Sequence, residues 1–327
     1  MVCISVNKGT ISHVRHIGPW ISFNRKYGLP YLREVYGIQM KAAASTRIRA
    51  NGKLEINKIH KDEIKLHQQK IEMLRKSFTL EPNTIPINIT DFQLIQFLNS
   101  VNYDVNEAKE VLKLSYRHKK ENNVLFTGRN PLDTDLQEAW SILNIFSLPQ
   151  TTAQNEKIVY CGLLNPDPAV FKHLPAMKLF TMAVEASLIT EGLFPGYIVI
   201  LDASNISIRH VPLSTIPSIK KFLYFVQEGI PLKITTVHVI NVSPIVTRIY
   251  GIIKPFLKQE LIQILQFHTD GLGSFHKLVP KELLPRELGG TLQPMEHYQN
   301  EFKAKVESIG EWYRIEEGQR RAEAVSA

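Results

Sequence analysis

IPLKITTVHVINVSPIVTRIYGIIKPFL, residues 230–257, sets two unlike patterns end to end. The first, Lys233 to Val242, is rich in β-branched residues and reads as a strand. The second opens at Pro244, a residue that suits the first turn of a helix. From there Ile245, Val246, Ile249, Tyr250, Ile252, Ile253, Phe256 and Leu257 cover a wide arc, and Thr247, Arg248, Gly251 and Lys254 form one narrow polar stripe. A helix lying on a sheet needs an apolar face of only about 100°, so this one has more than a single contact uses. Gly251 costs a helix interior about 1 kcal/mol relative to Ala, and Pro255 should kink or end it. Two readings stay open on these residues: a core helix, or a lid facing something greasy that is not protein.

Outward from this stretch, strands and helices alternate. KIVYCGLL (157–164) and GYIVILDA (196–203) read as strands, and ILQFHT (264–269) as a last one. Residues 174–190 and 213–229 read as helices between them. The unbroken run Tyr197-Ile198-Val199-Ile200-Leu201 predicts a strand buried on both faces. This spacing argues for an α/β domain with a mainly parallel sheet. TDLQEAWSILNIF (134–146) reads as helical, and residues 296–325 as a charged helix packed on the outside. Earlier in the chain, residues 56–78, 91–100 and 104–120 carry helical periodicity with Thr90, Asp91 and Asp104 as caps, a small all-α bundle. The expected division is a disordered extension over 1–39, the bundle over 56–125, the α/β domain over 135–293 and a helical tail over 294–327.

The bulk numbers exclude several classes. Of 327 residues, 44% are hydrophobic and 21% charged, an ordinary globular balance. Cys3 and Cys161 are the only cysteines, too few for a disulfide framework and natural to a reducing, cytoplasmic setting. The net charge of +8 is concentrated at the front: residues 1–80 carry +10, and the rest −2. A nucleic-acid binder would place its basic stripe on a folded face, so nucleic acid is not an expected partner. Residues 1–39 lack acidic groups before Glu34 and carry Arg15, Arg25, Lys26 and Arg33. They read as an extension before a start at Met40, with a transit peptide as the other reading.

No catalytic constellation emerges. DGLGSF (270–275) lacks the third glycine of a phosphate loop and reads as a turn. The eleven histidines show no metal-ligand pair on one helix. His238 reads as a hydrogen-bonded core residue, and His268 with Asp270 as a polar strand end. Asp202, ending the buried strand, is the best lone catalytic candidate, and no partner for it can be named. The chain is expected not to be an enzyme, with no cofactor, no metal and no catalytic residue.

The ordered set of motifs resembles the CRAL-TRIO lipid-binding family, which includes tocopherol, retinaldehyde and yeast phosphatidylinositol carriers. DFQLIQFLNSVNYDVNEAKEVLKLSYRHKKEN (91–122) looks like its N-terminal helical module, and GYIVILDASNISIRH (196–210) like its central strand and turn. P-L-K, H-x-I-N and I-K-P-F-L follow in the family's order within residues 231–257, and VPKELLPRELGG (279–290) closes its domain. ANGKLEINKIH (50–60) is similar to the opening of the insect branch. The resemblance implies an α/β CRAL-TRIO domain with an apolar pocket behind the all-α bundle. It implies a carrier that binds one small hydrophobic lipid (a retinoid, a tocopherol or a phospholipid) and transfers it between membranes. The alternative is a lipid-occupied interaction or signalling module without transfer.

By the same resemblance, Phe180, Ala183, Val184, Ser187, Val199, Leu201, Phe222, Phe225, Val226, Ile230, Val237, Ile249 and Ile252 line the pocket. Ile245, Ile249, Gly251, Ile253 and Phe256 belong to its lid. Lys233 and Lys254 match a region that grips phosphoinositides, implying a cytoplasmic protein peripheral at membranes. Thr235, Glu260 and Ile264 stand where the family has further basic groups, a departure that counts against such a grip. The +6 of residues 40–80 is a second source of membrane attraction, at up to about 1 kcal/mol per basic residue near an anionic leaflet, and a solvated helix face is the other reading of it.

Overall fold

The computed structural model describes residues 47–48, 54–55, 58–79, 81, 84–212 and 215–326. The expectations for residues 1–39 and for a start at Met40 lie outside the described residues.

After a short antiparallel pairing of Arg47–Ile48 with Leu54–Glu55 come four helices: α1 (Lys58–Leu66), α2 (Gln68–Lys76), α3 (Asp91–Ser100) and α4 (Val105–Glu121). The periodic stretch 56–78 therefore holds two helices, broken at His67, which leaves helical geometry at φ −112° and ψ 18°. Thr90 and Gln93 close a reciprocal capping box on α3, with N–H···O distances of 3.2 and 2.9 Å. The Asp104 carboxylate accepts from Asn106 and Glu107, both at 2.9 Å, and starts α4. Ile71, Leu74, Leu94, Ile95, Leu98, Ala108 and Leu112, all completely buried, form the bundle's core.

Helix α5 (Thr134–Ile142) leads into a sheet of β1 (Leu143–Thr151), β2 (Lys157–Leu163), β3 (Tyr197–Asp202), β4 (Ile234–Ile240) and β5 (Leu265–Phe267). The spatial order is the chain order. β1 and β2 are antiparallel, and every later pair is parallel. The sheet is thus mainly parallel, as expected, with one strand more than expected. The sequence pattern assigns residues 143–146 to a helix, and the structure makes them a strand. Leu143–Leu148 is a continuous buried run, which strand and helix patterns share. Pairing with β2, which the local pattern does not contain, decides it.

The parallel connections carry α6 (His173–Thr190), α7 (Ile216–Glu228), α8 (Pro244–Ile253) and the short α9 (Gln259–Ile264). Right-handed crossovers that always step the same way along a sheet put their helices on one face. The opposite face receives the segment after β5: His238 of β4 meets Phe275, with ring centroids 5.4 Å apart. The motif VPKELLPRELGG is built of two short 3₁₀ turns on this side. Gly289 sits at φ +72°, and a Cβ on Gly290 would stand 1.9 Å from the Leu284 carbonyl oxygen. Only glycine permits that approach.

The tail is two helices, α10 (Met295–Ser308) and α11 (Gly310–Ser326), not one outer helix. Tyr298, Phe302, Val306, Ile309 and Tyr313 recur every three or four residues and are buried in the main core. The high charge of the segment masks this stripe on reading. Lys119 of α4 and Arg129 both pair with Glu185 of α6 and with Glu316 of α11, so buried charges tie the bundle, the α/β layers and the tail together.

Candidate functional site

Along β2, β3 and β4, alternate residues meet different fates. Ile158, Tyr160, Ile198, Ile200, Asp202, His238 and Ile240 point one way and are all at most 9% exposed. Val159, Cys161, Val199 and Leu201 point the other way, toward the crossover helices, and are only half-buried. Val237 and Val239 share that second face through their pairing with Val199 and Leu201. This floor offers no charged group, and burial pushes the Cys161 thiol up to about 12. Apolar side chains in the middle of a sheet that remain half-open face a space other elements do not fill.

The walls show the same half-burial. On α6, Phe180 and Val184 are half-buried, and Ala183 is buried. On α7, Phe222 and Val226 are half-buried, while Phe225 is buried against Phe126 at a centroid distance of 4.9 Å. Phe180 and Phe222 meet edge to face at 5.3 Å, joining the two helices. On α8, Ile245, Ile249, Ile252 and Ile253 are half-buried, Gly251 is exposed, and Val246 is the helix's one buried residue. Ile245 and Val246 pack with Val199, Leu201, Val237 and Val239 of the floor. Ile230 is buried at the approach to β4.

Ser187 is a separate case. Its hydroxyl donates to Glu191 at 2.9 Å and belongs to a polar cluster closing the end of α6. Ser147 and Lys305 also bond this carboxylate, and Lys157 lies 3.7 Å away. Burial pushes the Glu191 carboxyl up, but Lys157 and Lys305 more than offset it and hold it at about 2.

Both ends of α8 are held by contacts that the motifs do not reveal. Before it, Asn241 takes a left-handed turn at φ 55°, and its amide donates to Asp202 at 2.9 Å. Asp202 also accepts from the Tyr160 hydroxyl at 2.7 Å and from the Ser204 N–H at 2.9 Å. The best lone catalytic candidate is therefore a fully engaged clamp on the closed face. After α8, residues 254–256 form a 3₁₀ turn at Pro255, so the helix ends before the expected Leu257. Phe256 is half-buried there. Gln227 of α7 accepts from the Lys258 N–H at 2.6 Å and donates to the Phe256 carbonyl at 3.1 Å. The neighbouring Glu228 pairs with Lys258 at 3.0 Å and with His118 of the bundle at 2.7 Å. Burial pushes the Glu228 carboxyl up, and bonds from Lys258 and His118 bring it below its ordinary value.

Lys233 and Lys254 are not brought to a common group. Lys233 donates to Asn102 in the turn between α3 and α4 at 3.2 Å, and Lys254 lies over the Tyr250 ring at 5.8 Å. His238 and His268 contact each other at 3.0 Å on the closed face, as core histidines do. Among the described residues no group of three or more His, Cys, Asp or Glu is arranged to hold a metal ion. Among the same residues no helix is long and apolar enough to cross a membrane.

Comparison with known proteins gives two domain matches and several relatives. Residues 143–290 match the CRAL/TRIO domain, and residues 63–136 match a Pinta-like UBA domain. Clavesin-1 of Xenopus laevis is 25% identical over 246 residues, which are 74% of this chain and 72% of that protein. Clavesin-2 of Homo sapiens is 23% identical over 256 residues, 78% of this chain and 77% of that one. The alpha-tocopherol transfer protein-like protein of Homo sapiens is 26% identical over 228 residues, 67% of this chain and 63% of that one.

Proposed function

We propose, from the premise that this chain is a CRAL-TRIO protein, that it is an intracellular carrier for one small hydrophobic lipid. The observation that carries this reading is the half-buried apolar floor of Val159, Cys161, Val199 and Leu201, faced by half-buried residues of α6, α7 and α8. A retinoid, a tocopherol or the acyl part of a phospholipid would complete the burial that the protein leaves unfinished. The helix α8 is the lid. It is held at both ends by polar contacts and has one buried residue between them.

The energetics make such a protein a kinetic device. Each buried methylene is worth about 0.8 kcal/mol, so a lipid with on the order of 15 of them gains roughly 12 kcal/mol on leaving water. It gains nearly the same in a bilayer. Transfer is then close to neutral, and the carrier works by removing the aqueous step. A docked open lid passes the lipid across, and closure hides it. No chemical step on the cargo belongs to this reading. Transient membrane contact does, with the exposed Arg248 and Lys254 of the lid segment available to an anionic surface.

The test is native mass spectrometry of the full chain after exposure to retinoids, tocopherols, phosphatidylinositol and phosphatidylcholine. One adduct at one-to-one stoichiometry is expected, with faster movement of that lipid between vesicles. A folded chain that stays empty against the panel would sink the carrier reading. Loading without faster transfer would favour a lipid-occupied interaction module.

A further inference from the structure

Between Val246 and His268 no residue is buried. The stretch from the end of α8 through α9 therefore has no core anchor, and contacts at its bends matter more. Among the described residues, the side-chain hydrogen bonds and ion pairs that reach residues 254–264 from other elements all come from the last turn of α7. Gln227 holds the Phe256 carbonyl and the Lys258 N–H, and Glu228 Oε1 meets Lys258 Nζ at 3.0 Å.

The same turn of α7 is fixed to the bundle. The second oxygen of Glu228, Oε2, meets His118 Nε2 of α4 at 2.7 Å. Beside it α7 ends directly on the α4 backbone, since a Cβ on Gly229 would stand 2.9 Å from the Ser115 Cα. Farther along both elements, the Asn122 amide donates to the Lys221 carbonyl at 3.4 Å. The side chains of His118 and Glu228 are 5% and 15% exposed, whereas Lys258 is 49% exposed. An exposed pair alone holds little, but a carboxylate oriented by a buried imidazole offers its other oxygen in one fixed place.

We infer that the helical bundle latches the exit of the lid. His118 fixes Glu228, and the last turn of α7 passes that hold to Phe256 and Lys258. The entry of the lid is held by the sheet through Asp202, and the exit by the bundle. His118 is thus a positioning residue for the lid, acting through Glu228. The inference rests on the carrier reading only for what the lid releases.

Hydrogen–deuterium exchange of the full chain without lipid, followed over residues 254–264 and 241–243, tests it. His118→Phe should speed exchange over 254–264 by about fivefold, the scale of one partly exposed charge-assisted hydrogen bond, and leave 241–243 unchanged. If that variant does not fold, His118→Asn removes the same bond with a smaller side chain. Glu228→Leu should speed exchange at least as much, and His118→Phe added to it should do no more, because the hold passes through Glu228. Ile71→Val loosens the bundle's own core and should leave 254–264 at the unmodified rate. The latch is overturned if His118→Phe leaves 254–264 unmoved, if it adds in full to Glu228→Leu, or if Ile71→Val has the same effect. Any lipid found by the mass-spectrometry panel should leave His118→Phe for empty phosphatidylcholine vesicles faster by the same factor, and an unchanged rate would overturn the latch's part in release. A panel that loads nothing sinks the carrier reading, while the exchange experiment still decides the latch.

Discussion

On one side of β3, Ile198, Ile200 and Asp202 are 8%, 0% and 9% exposed; on the other, Val199 and Leu201 are half-open. The residue types on the two sides are nearly the same. The difference lies in what covers them. The closed side is filled by the chain after β5, which wedges Phe275, Val279, Leu284 and Leu288 against the strands and locks itself with Gly289 and Gly290. The open side is roofed by α6, α7 and α8, whose facing side chains are themselves mostly half-buried. Hydrophobic residues on a strand therefore specify that a face will be covered, not that protein will cover it. The two faces can be told apart by whether a deletion is felt in folding or in binding.

The largest expected effect follows directly. Ile200→Ala should cost about 3–4 kcal/mol, because it opens a cavity in a packed face. Leu201→Ala, one residue along, should cost about 1–2 kcal/mol, because half its area already faces open space. Urea denaturation measures both, and lipid loading should fall only for Leu201→Ala at conditions where both are folded. Equal losses of stability would erase the distinction between the faces.

Next comes the clamp on the closed side. Asp202→Ala leaves the Tyr160 hydroxyl and the Asn241 amide without their acceptor, at about 2 kcal/mol for the buried groups. Burial, and then the Asp202 charge, keeps the Tyr160 phenol protonated well above its ordinary range, so it remains a donor throughout. Loading per folded molecule should be unchanged, while the lid's entry turn loosens and lipid leaves faster. A stability curve that does not move would show that the three bonds contribute nothing net.

The order of strands, the parallel sheet and the bundle could be read from periodicity, since each is a local pattern repeated. β1 could not, because Leu143–Leu148 shows no alternation, is buried throughout with Asn144 and Ser147 included, and only its partner strand defines it. The buried stripe of α10 and α11 was legible in principle at Tyr298, Phe302, Val306, Ile309 and Tyr313, but the charges between them masked it. For the site, Phe180, Val184, Phe222, Val226, Ile249 and Ile252, named by resemblance, are half-buried, whereas Phe225 is buried against Phe126. Ser187 does not face it freely, because its hydroxyl is taken by Glu191, 4 residues on. The hold on the lid by Asp202 and Gln227 was invisible, because it joins residues 39 and 31 positions apart. Long-range hydrogen bonds leave no periodic trace.

A smaller effect separates the faces by pH. Burial first, and then the nearby His268, lowers His238 from 6.5 to about 4, and burial lowers His268 as well. Both sit on the closed side, where Ser274 links His268 to Asp270. The unfolded chain binds these protons near pH 6.5, whereas the folded chain binds the one on His238 only near pH 4 and the one on His268 below its ordinary range. Stability is therefore full above 6.5 and declines as pH falls toward 4. His238→Gln should flatten that slope in thermal melts between pH 7 and 4.5. Loading by folded molecules should hold across the range, since the chamber floor has no group that titrates there. Loss of loading at a pH where the chain is still folded would place a titrating group in the chamber.

The smallest change in stability should carry the most information about the lid. Gly251 is exposed in mid-helix, and a Cβ there would meet no atom within 4 Å. Gly251→Ala is thus free of steric cost and should stabilise α8 by about 0.5–1 kcal/mol, through lower unfolded-chain entropy. If α8 bends or frays to release cargo, the same gain must be given back each time it opens. Transfer between vesicles should then slow by about threefold to fivefold, the rate equivalent of that energy, while the amount loaded at equilibrium stays the same. If α8 instead swings as a rigid piece about Asn241 and Pro255, stiffening its middle changes nothing, and the rate will match the unmodified chain. A rate and a loading that fall together would mean that the added methyl group disturbs the closed state, contrary to the empty space around Gly251. The three outcomes assign the motion to the helix, to its ends, or to neither.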